Sequence, residues 1–115
     1  MSDFEFQGVE CMEIGSIHEI REKFISKEGL KEIRIGILIY IDETMIARDK
    51  FVDYEFLYTN EIKGKKQDIY KKVEKNGDIK YLVSFYQDNK KYFVSGNEDV
   101  EFLEAISEEY MDLIF

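Results

Sequence analysis

The sequence predicts an α+β fold, with one antiparallel sheet of about five or six strands and two helices packed on it. Three features carry that expectation. Apolar residues alternate with period two from Ile33 onward, Asn76-Gly77 sits between two alternating runs, and the closing stretch "NEDVEFLEAISEEYMDLIF" is apolar at helical spacing.

Taken in chain order, "FEFQGVECMEI" (4–14) alternates but breaks phase around Gly8, as a strand with a bulge does. In "GSIHEIREKFISKEG", Ser16 and Glu19 have the spacing of a capping box. Ile17, Ile20 and Phe24 mark one face and Gly29 offers a stop, so the spacing predicts a helix over about 17–27.

"LKEIRIGILIYID" places Ile33, Ile35, Ile37, Ile39 and Ile41 on one face and Arg34, Gly36, Leu38 and Tyr40 on the other. Apolar on both faces at its middle, it reads as a central strand. "ETMIARDKF" fits a helical turn or a loop equally. Alternation resumes with Val52, Tyr54, Phe56 and Tyr58, "NEIKGKKQ" makes a turn, and a strand over 69–73 follows. Asn76-Gly77 suits the positive φ angles of a type I′ hairpin, and Asp88-Asn89 offers another turn before "KKYFVSG". The second half is thus an antiparallel meander. In the last stretch Phe102, Leu103, Ile106, Tyr110, Leu113 and Ile114 gather on one arc of a helical wheel and the acids fill the other.

Composition bounds the rest. A chain of 115 residues with 44% hydrophobic content has the size and core of one domain, so 1–115 is expected to be a single α+β domain. Cys11 is the only cysteine, which rules out an internal disulfide. "MSDFEFQGVE" has acids where a secretory leader has bases, and no apolar run approaches about 18 residues. A cytoplasmic protein is expected. The net charge of −9 opposes direct binding to nucleic acid or to anionic membranes. Residues 61–95 carry five acids and nine bases, whereas 96–115 carry seven acids and no base.

No catalytic signature appears. His18 is the only histidine, so Ser-His-Asp or Cys-His chemistry would have to run through it, and neither Cys11 nor any serine stands in a nucleophile motif. One Cys and one His cannot make a standard zinc site, and Asp42, Glu43, Asp49 and Asp53 lack the spacing of a calcium loop. No metal, cofactor or catalytic residue is assigned, and the chain is read as a non-enzyme. "EIKGKKQ" offers Lys63, Lys65 and Lys66 as an anion-binding alternative but has no second glycine at Walker spacing. A small-ligand or nucleotide site on this Lys-rich meander, a carboxylate-pair enzyme and a structural subunit pairing through a sheet edge remain as alternatives.

The terminal helix is the leading functional feature. Its first acids suit the positive end of the helix dipole. Glu108, Glu109 and Asp112 crowd the negative end, and Glu104, Glu108 and Asp112 repel one another at four-residue spacing. Together these terms amount to about 1–2 kcal/mol, which something basic can relieve, either within the fold or on a partner. Glu101, Glu104, Glu108, Glu109 and Asp112 are therefore the expected partner-binding residues. In size, charge and composition the chain resembles immunity proteins of bacterial toxins and phage inhibitors of nucleic-acid-cutting defence enzymes. That resemblance implies a basic protein partner such as a nuclease, occluded by carboxylates.

Overall fold

The computed structural model describes residues 3–14, 17–40, 51, 53–87 and 90–114. Seven strands form one antiparallel sheet: β1 (Phe4–Ile14), β2 (Ile17–Ser26), β3 (Glu32–Tyr40), β4 (Glu55–Ile62), β5 (Lys65–Val73), β6 (Ile79–Gln87) and β7 (Lys90–Gly96). One helix, α1 (Val100–Ile114), follows. Across the sheet the order is β1-β2-β3-β7-β6-β5-β4. Two meanders, β1–β3 and β4–β7, therefore meet at the β3–β7 ladder, and β1 and β4 are the edges.

The expected α+β arrangement of five or six strands with two helices is corrected on both counts. Among the described residues there are seven strands and one helix, and most of the expected 17–27 helix is strand β2, Ile17–Ser26. Its backbone pairs with β1 on one side and β3 on the other. Local helix signals are worth tenths of a kcal/mol, whereas two ladders of hydrogen bonds and β-branched packing decide the outcome. Ile20 and Phe24 lie opposite Ile37 and Ile33, while Ile17 and Ile25 point to the other face. Ser16 of the expected capping box lies outside the described residues, as do 41–50, and Glu19 instead approaches Arg21 at 3.7 Å.

Turn chemistry departs from expectation in a way that matters for the site. Lys63 (φ 54) and Gly64 (φ 79) make the two-residue left-handed turn between β4 and β5. At the next hairpin only Gly77 (φ 90) is left-handed, and the loop is wider: Gly77 N–H donates to Glu74 O (3.0 Å) and Glu74 N–H to Asp78 O (2.8 Å). The register of β1 shifts between Phe6 and Gly8, where Gly8 has φ 139. A second bulge, between Phe56 and Tyr58, breaks the alternation read from sequence: Phe56 opposes Tyr70 and Tyr58 opposes Ile69, on different faces. The 88–89 turn lies outside the described residues.

Both faces of the sheet carry core. Beneath α1, Ile33, Ile69, Val83 and Val94 pack against Leu103 and Ile106, and Phe85 and Tyr92 against Met111. On the other face Leu38, Tyr40, Tyr70, Leu82 and Phe93 are covered by Phe51 and Tyr54. Gly36 is required there, since a Cβ would stand 2.5 Å from the Phe93 ring.

Candidate functional site

Asp99 starts α1, its carbonyl accepting from the N–H groups of Phe102 (3.1 Å) and Leu103 (3.2 Å). The buried stripe of Leu103, Ile106, Ser107 and Met111 fixes the helix rotation over β6 and β7. That rotation divides the predicted acidic face into two edges: Glu101, Glu104, Glu108 and Asp112 on the β4–β5 side, and Glu109 on the β2–β3 side.

On the β4–β5 side the fold answers part of the charge. The Tyr58 hydroxyl, turned under α1 by the bulge before it, donates to Glu104 Oε1 at 2.7 Å, and Asn60 Nδ2 donates to Glu104 Oε2 at 3.4 Å. The hydrogen bond to the Glu104 carboxylate, helped by desolvation, pushes the Tyr58 hydroxyl up to about 12. Gln67 Nε2 donates to Asn60 Oδ1 at 3.2 Å, and Ser107 Oγ donates to Gln67 Oε1 at 2.5 Å. Gln67 and Ser107 are fully buried, so this chain of bonds stitches α1 to β4 and β5. Lys63 Nζ pairs with Asp112 Oδ1 from the left-handed turn, and the carboxylates of Asp112 and Glu108 raise its pKa. Near the helix start Lys31 Nζ approaches Glu98 Oε1 at 3.6 Å.

Three of the predicted partner residues are left over. Glu101, Glu108 and Glu109 make no hydrogen bond or ion pair with any of the described residues. Glu101 and Glu109 are exposed and Glu108 is half-buried.

The Glu109 edge borders a feature that sequence reasoning missed. Glu22, Ile35, Ile106, Glu109, Tyr110 and Leu113 line a groove of about 330 Å³ between α1 and the first meander. Its floor continues across β1 and β2, where Phe6 and Val9 are 55% and 57% exposed. Leu113 stands at its rim, 85% exposed, although the helical wheel places it on the apolar arc. A wheel gives the direction of a side chain and not what lies beneath it. Burial, with the Tyr92 and Glu22 charges adding, pushes the Tyr110 hydroxyl in this groove up to about 12.

Of the lysines proposed as an anion site, Lys63 and Lys65 line one small cavity of about 260 Å³ with Ile62, Met111 and Asp112, and Lys63 pairs with Asp112 there. Lys66, next along β5, points to the opposite face. Arg21, Arg34, Lys72 and Lys80 on that face are engaged. Arg21 Nε and Arg34 Nε reach Glu10 Oε1 at 2.9 and 3.1 Å, and the Arg34 hydrogen bond leads in holding the Glu10 carboxyl below its ordinary range. Arg34 also pairs with Glu32. In a broader basin of about 920 Å³, Lys80 and Lys72 approach Glu74 Oε1 at 3.2 and 3.9 Å.

Among the described residues no three His, Cys, Asp or Glu side chains are grouped to hold a metal ion. Asp53 is described, while Asp42, Glu43 and Asp49 lie outside the described residues. His18 Nδ1 stands 3.3 Å from Glu13 Oε1 at the β1–β2 end. Cys11 shares a shallow concavity with His18, and no hydrogen bond joins them. No described helix is long and apolar enough to cross a membrane. Compared with protein-family models, curated proteins and solved structures, the chain matches none.

Proposed function

We propose that the chain is a non-enzymatic binding protein that inhibits or neutralises a basic protein partner, meeting it with the carboxylates of α1. One observation carries this reading: Glu101, Glu108 and Glu109 make no hydrogen bond or ion pair among the described residues, while Lys63, whose charge Glu108 also feels, is held by Asp112. Glu104 and Asp112 add to the same field while staying tied to β4 and its turn. An array of unanswered carboxylates on a protein of net charge −9 speeds encounter with a positive surface and opposes wrong partners.

A nuclease or another nucleic-acid-handling enzyme fits this chemistry, because its phosphate-binding groove is basic. Toxin immunity or phage anti-defence is the matching biological role. The cytoplasm is the matching compartment, supported by the single free thiol at Cys11.

Affinity capture from host extract tests the reading. The wild-type chain is expected to retain a basic protein at low salt and to release it as the screening length falls below about 8 Å. The triple variant Glu101→Gln, Glu108→Gln, Glu109→Gln is expected to lose that protein while melting no lower. An unchanged set of captured proteins would show the reading to be wrong.

A further inference from the structure

The face of the sheet that carries α1 is only half covered. α1 packs on β6 and β7 and covers Ile33 and part of Ile35 at the near side of β3, leaving Phe6, Val9, Cys11, Ile20 and Glu22 of β1 and β2 exposed. The register lines up three cross-strand rows there: Phe6, Phe24 and Ile33; Val9, Glu22 and Ile35; Cys11, Ile20 and Ile37. The Phe4 ring meets Phe102 at 5.9 Å beside the helix start, and Leu113 lines the groove toward the helix end.

Two properties identify what fits this surface. The first is width. Three strands span two spacings of about 4.8 Å each, which matches the roughly 10 Å diameter of one α-helix. The second is charge. Glu22 stands in the middle row and Glu109 on the facing helix edge, both lining the same groove with no base bound to either among the described residues. Arg21, Lys23 and Arg34 of these strands all point to the opposite face. A second copy of this chain would bring carboxylate against carboxylate, whereas a cationic occupant satisfies both.

We infer that this bare half-face seats one amphipathic helix of the basic partner, lying beside α1 with its apolar stripe on Val9, Ile20, Ile35 and Leu113 and its lysines or arginines at Glu22 and Glu109. The inference rests on the basic-partner reading above and adds to it the secondary structure and the seat of the recognised segment. The occupant completes a two-helix layer on the sheet, the arrangement that buries both halves of an apolar sheet face. Recognition is then of the helix-in-groove kind, with apolar anchors at i, i+3, i+4 and i+7.

The test uses the full chain and a synthetic helical peptide of about five turns, with leucines at that spacing and lysines on both flanks. Controls are the same composition scrambled and the same stripe with glutamate flanks. Amide and methyl NMR shifts are expected to move saturably at Ile20, Ile35 and Leu113 with the first peptide alone. Affinity is expected to fall about tenfold in Leu113→Asp and again in Glu22→Gln with Glu109→Gln, all surface changes that leave the core intact.

Absence of saturable binding at millimolar peptide overturns the inference, as does equal binding of the scrambled peptide or shifts confined to Glu101 and Glu108. Sedimentation showing a dimer that Leu113→Asp dissolves overturns it in favour of a second copy. If a captured basic protein depends on Glu101 and Glu108 but is indifferent to Leu113→Asp, this inference fails and the proposed function stands. If nothing basic is captured while the peptide still seats, the proposed function fails instead.

Discussion

Lys63 reaches Asp112 across forty-nine residues of sequence because the turn that carries it is left-handed at both positions. The two-residue turn aims the ammonium of the β4–β5 tip at the last turn of α1, which has no base of its own. The cation preferred at a helix C-terminus is thus borrowed from a neighbouring hairpin.

Asp112→Asn is expected to lower the melting temperature slightly at low salt and not at all in molar salt, since an exposed pair is screened. Lys63→Gly removes the same pair but relieves a positive φ, so its loss is expected to be smaller than that of Asp112→Asn. Thermal scans at two ionic strengths decide this, and salt-independent losses would show that the pair is not what Asp112 contributes.

Ser107→Ala leaves the buried Gln67 carbonyl oxygen without its donor. A cost of about 1–3 kcal/mol is expected in urea unfolding. A change within a few tenths would mean that the chain of bonds to Asn60 and Glu104 is not cooperative with Ser107.

Gly36→Ala puts a methyl group 2.5 Å from the Phe93 ring and 2.9 Å from the Arg21 Cβ. Destabilisation of about 1–3 kcal/mol is expected, and Phe93→Leu in the same chain should recover part of it. Gly96→Ala meets the Glu32 backbone oxygen at 2.3 Å, where no side chain can give way, so no second-site side-chain change should rescue it. Denaturant midpoints of the double variants check both.

Alkaline stability follows from two tyrosines. Tyr58 and Tyr110 ionise at about 12 in the folded chain, above the ordinary 10.0. The folded state therefore holds these protons more tightly than the unfolded chain. Their contribution is fully present below pH 10 and is lost as pH rises through 12. The urea midpoint is expected to fall over that window, less steeply in Tyr58→Phe and Tyr110→Phe, with tyrosinate absorbance following. Glu10 gives the opposite limb. Its carboxyl, lowered from 4.5 mainly by the Arg34 hydrogen bond, contributes above that pH and loses its contribution as pH falls, so Glu10→Gln should flatten the acid side.

How far the sequence could be read depended on where the deciding forces act. Ile33 to Ile39 announced a buried strand because period-two alternation and β-branching agree there. The closing helix was legible for the same reason, at helical period. β2 was not, since Ile17, Ile20 and Phe24 satisfy a helical spacing, and only pairing with two neighbouring strands selects the extended form. The left-handed turn was expected at Asn76-Gly77, which has the better dipeptide, and occurs at Lys63-Gly64. A wider loop satisfied the first hairpin, while the second had only two residues between its strands. Of the candidate site, the acids themselves were legible. Their division into fold-bound Glu104 and Asp112 and unbound Glu101, Glu108 and Glu109 was not, because it depends on Tyr58 and Lys63 arriving from distant strands. The groove rimmed by Leu113 was hidden because helical period identifies an apolar residue without revealing whether anything covers it.

The strand order has a consequence for how this chain assembles. β7, the last of the seven described strands to be made, lies at the centre of the sheet between β3 and β6. As the chain emerges from a ribosome, β1–β3 can zip early by local hairpins, but the inner edge of β3 has no mate until residues roughly half the chain away are synthesised. Until then the nascent protein exposes the isoleucine-rich strand it most needs to hide. Closing the sheet is therefore the late step, and the interval before it is when this protein is most exposed to misassociation.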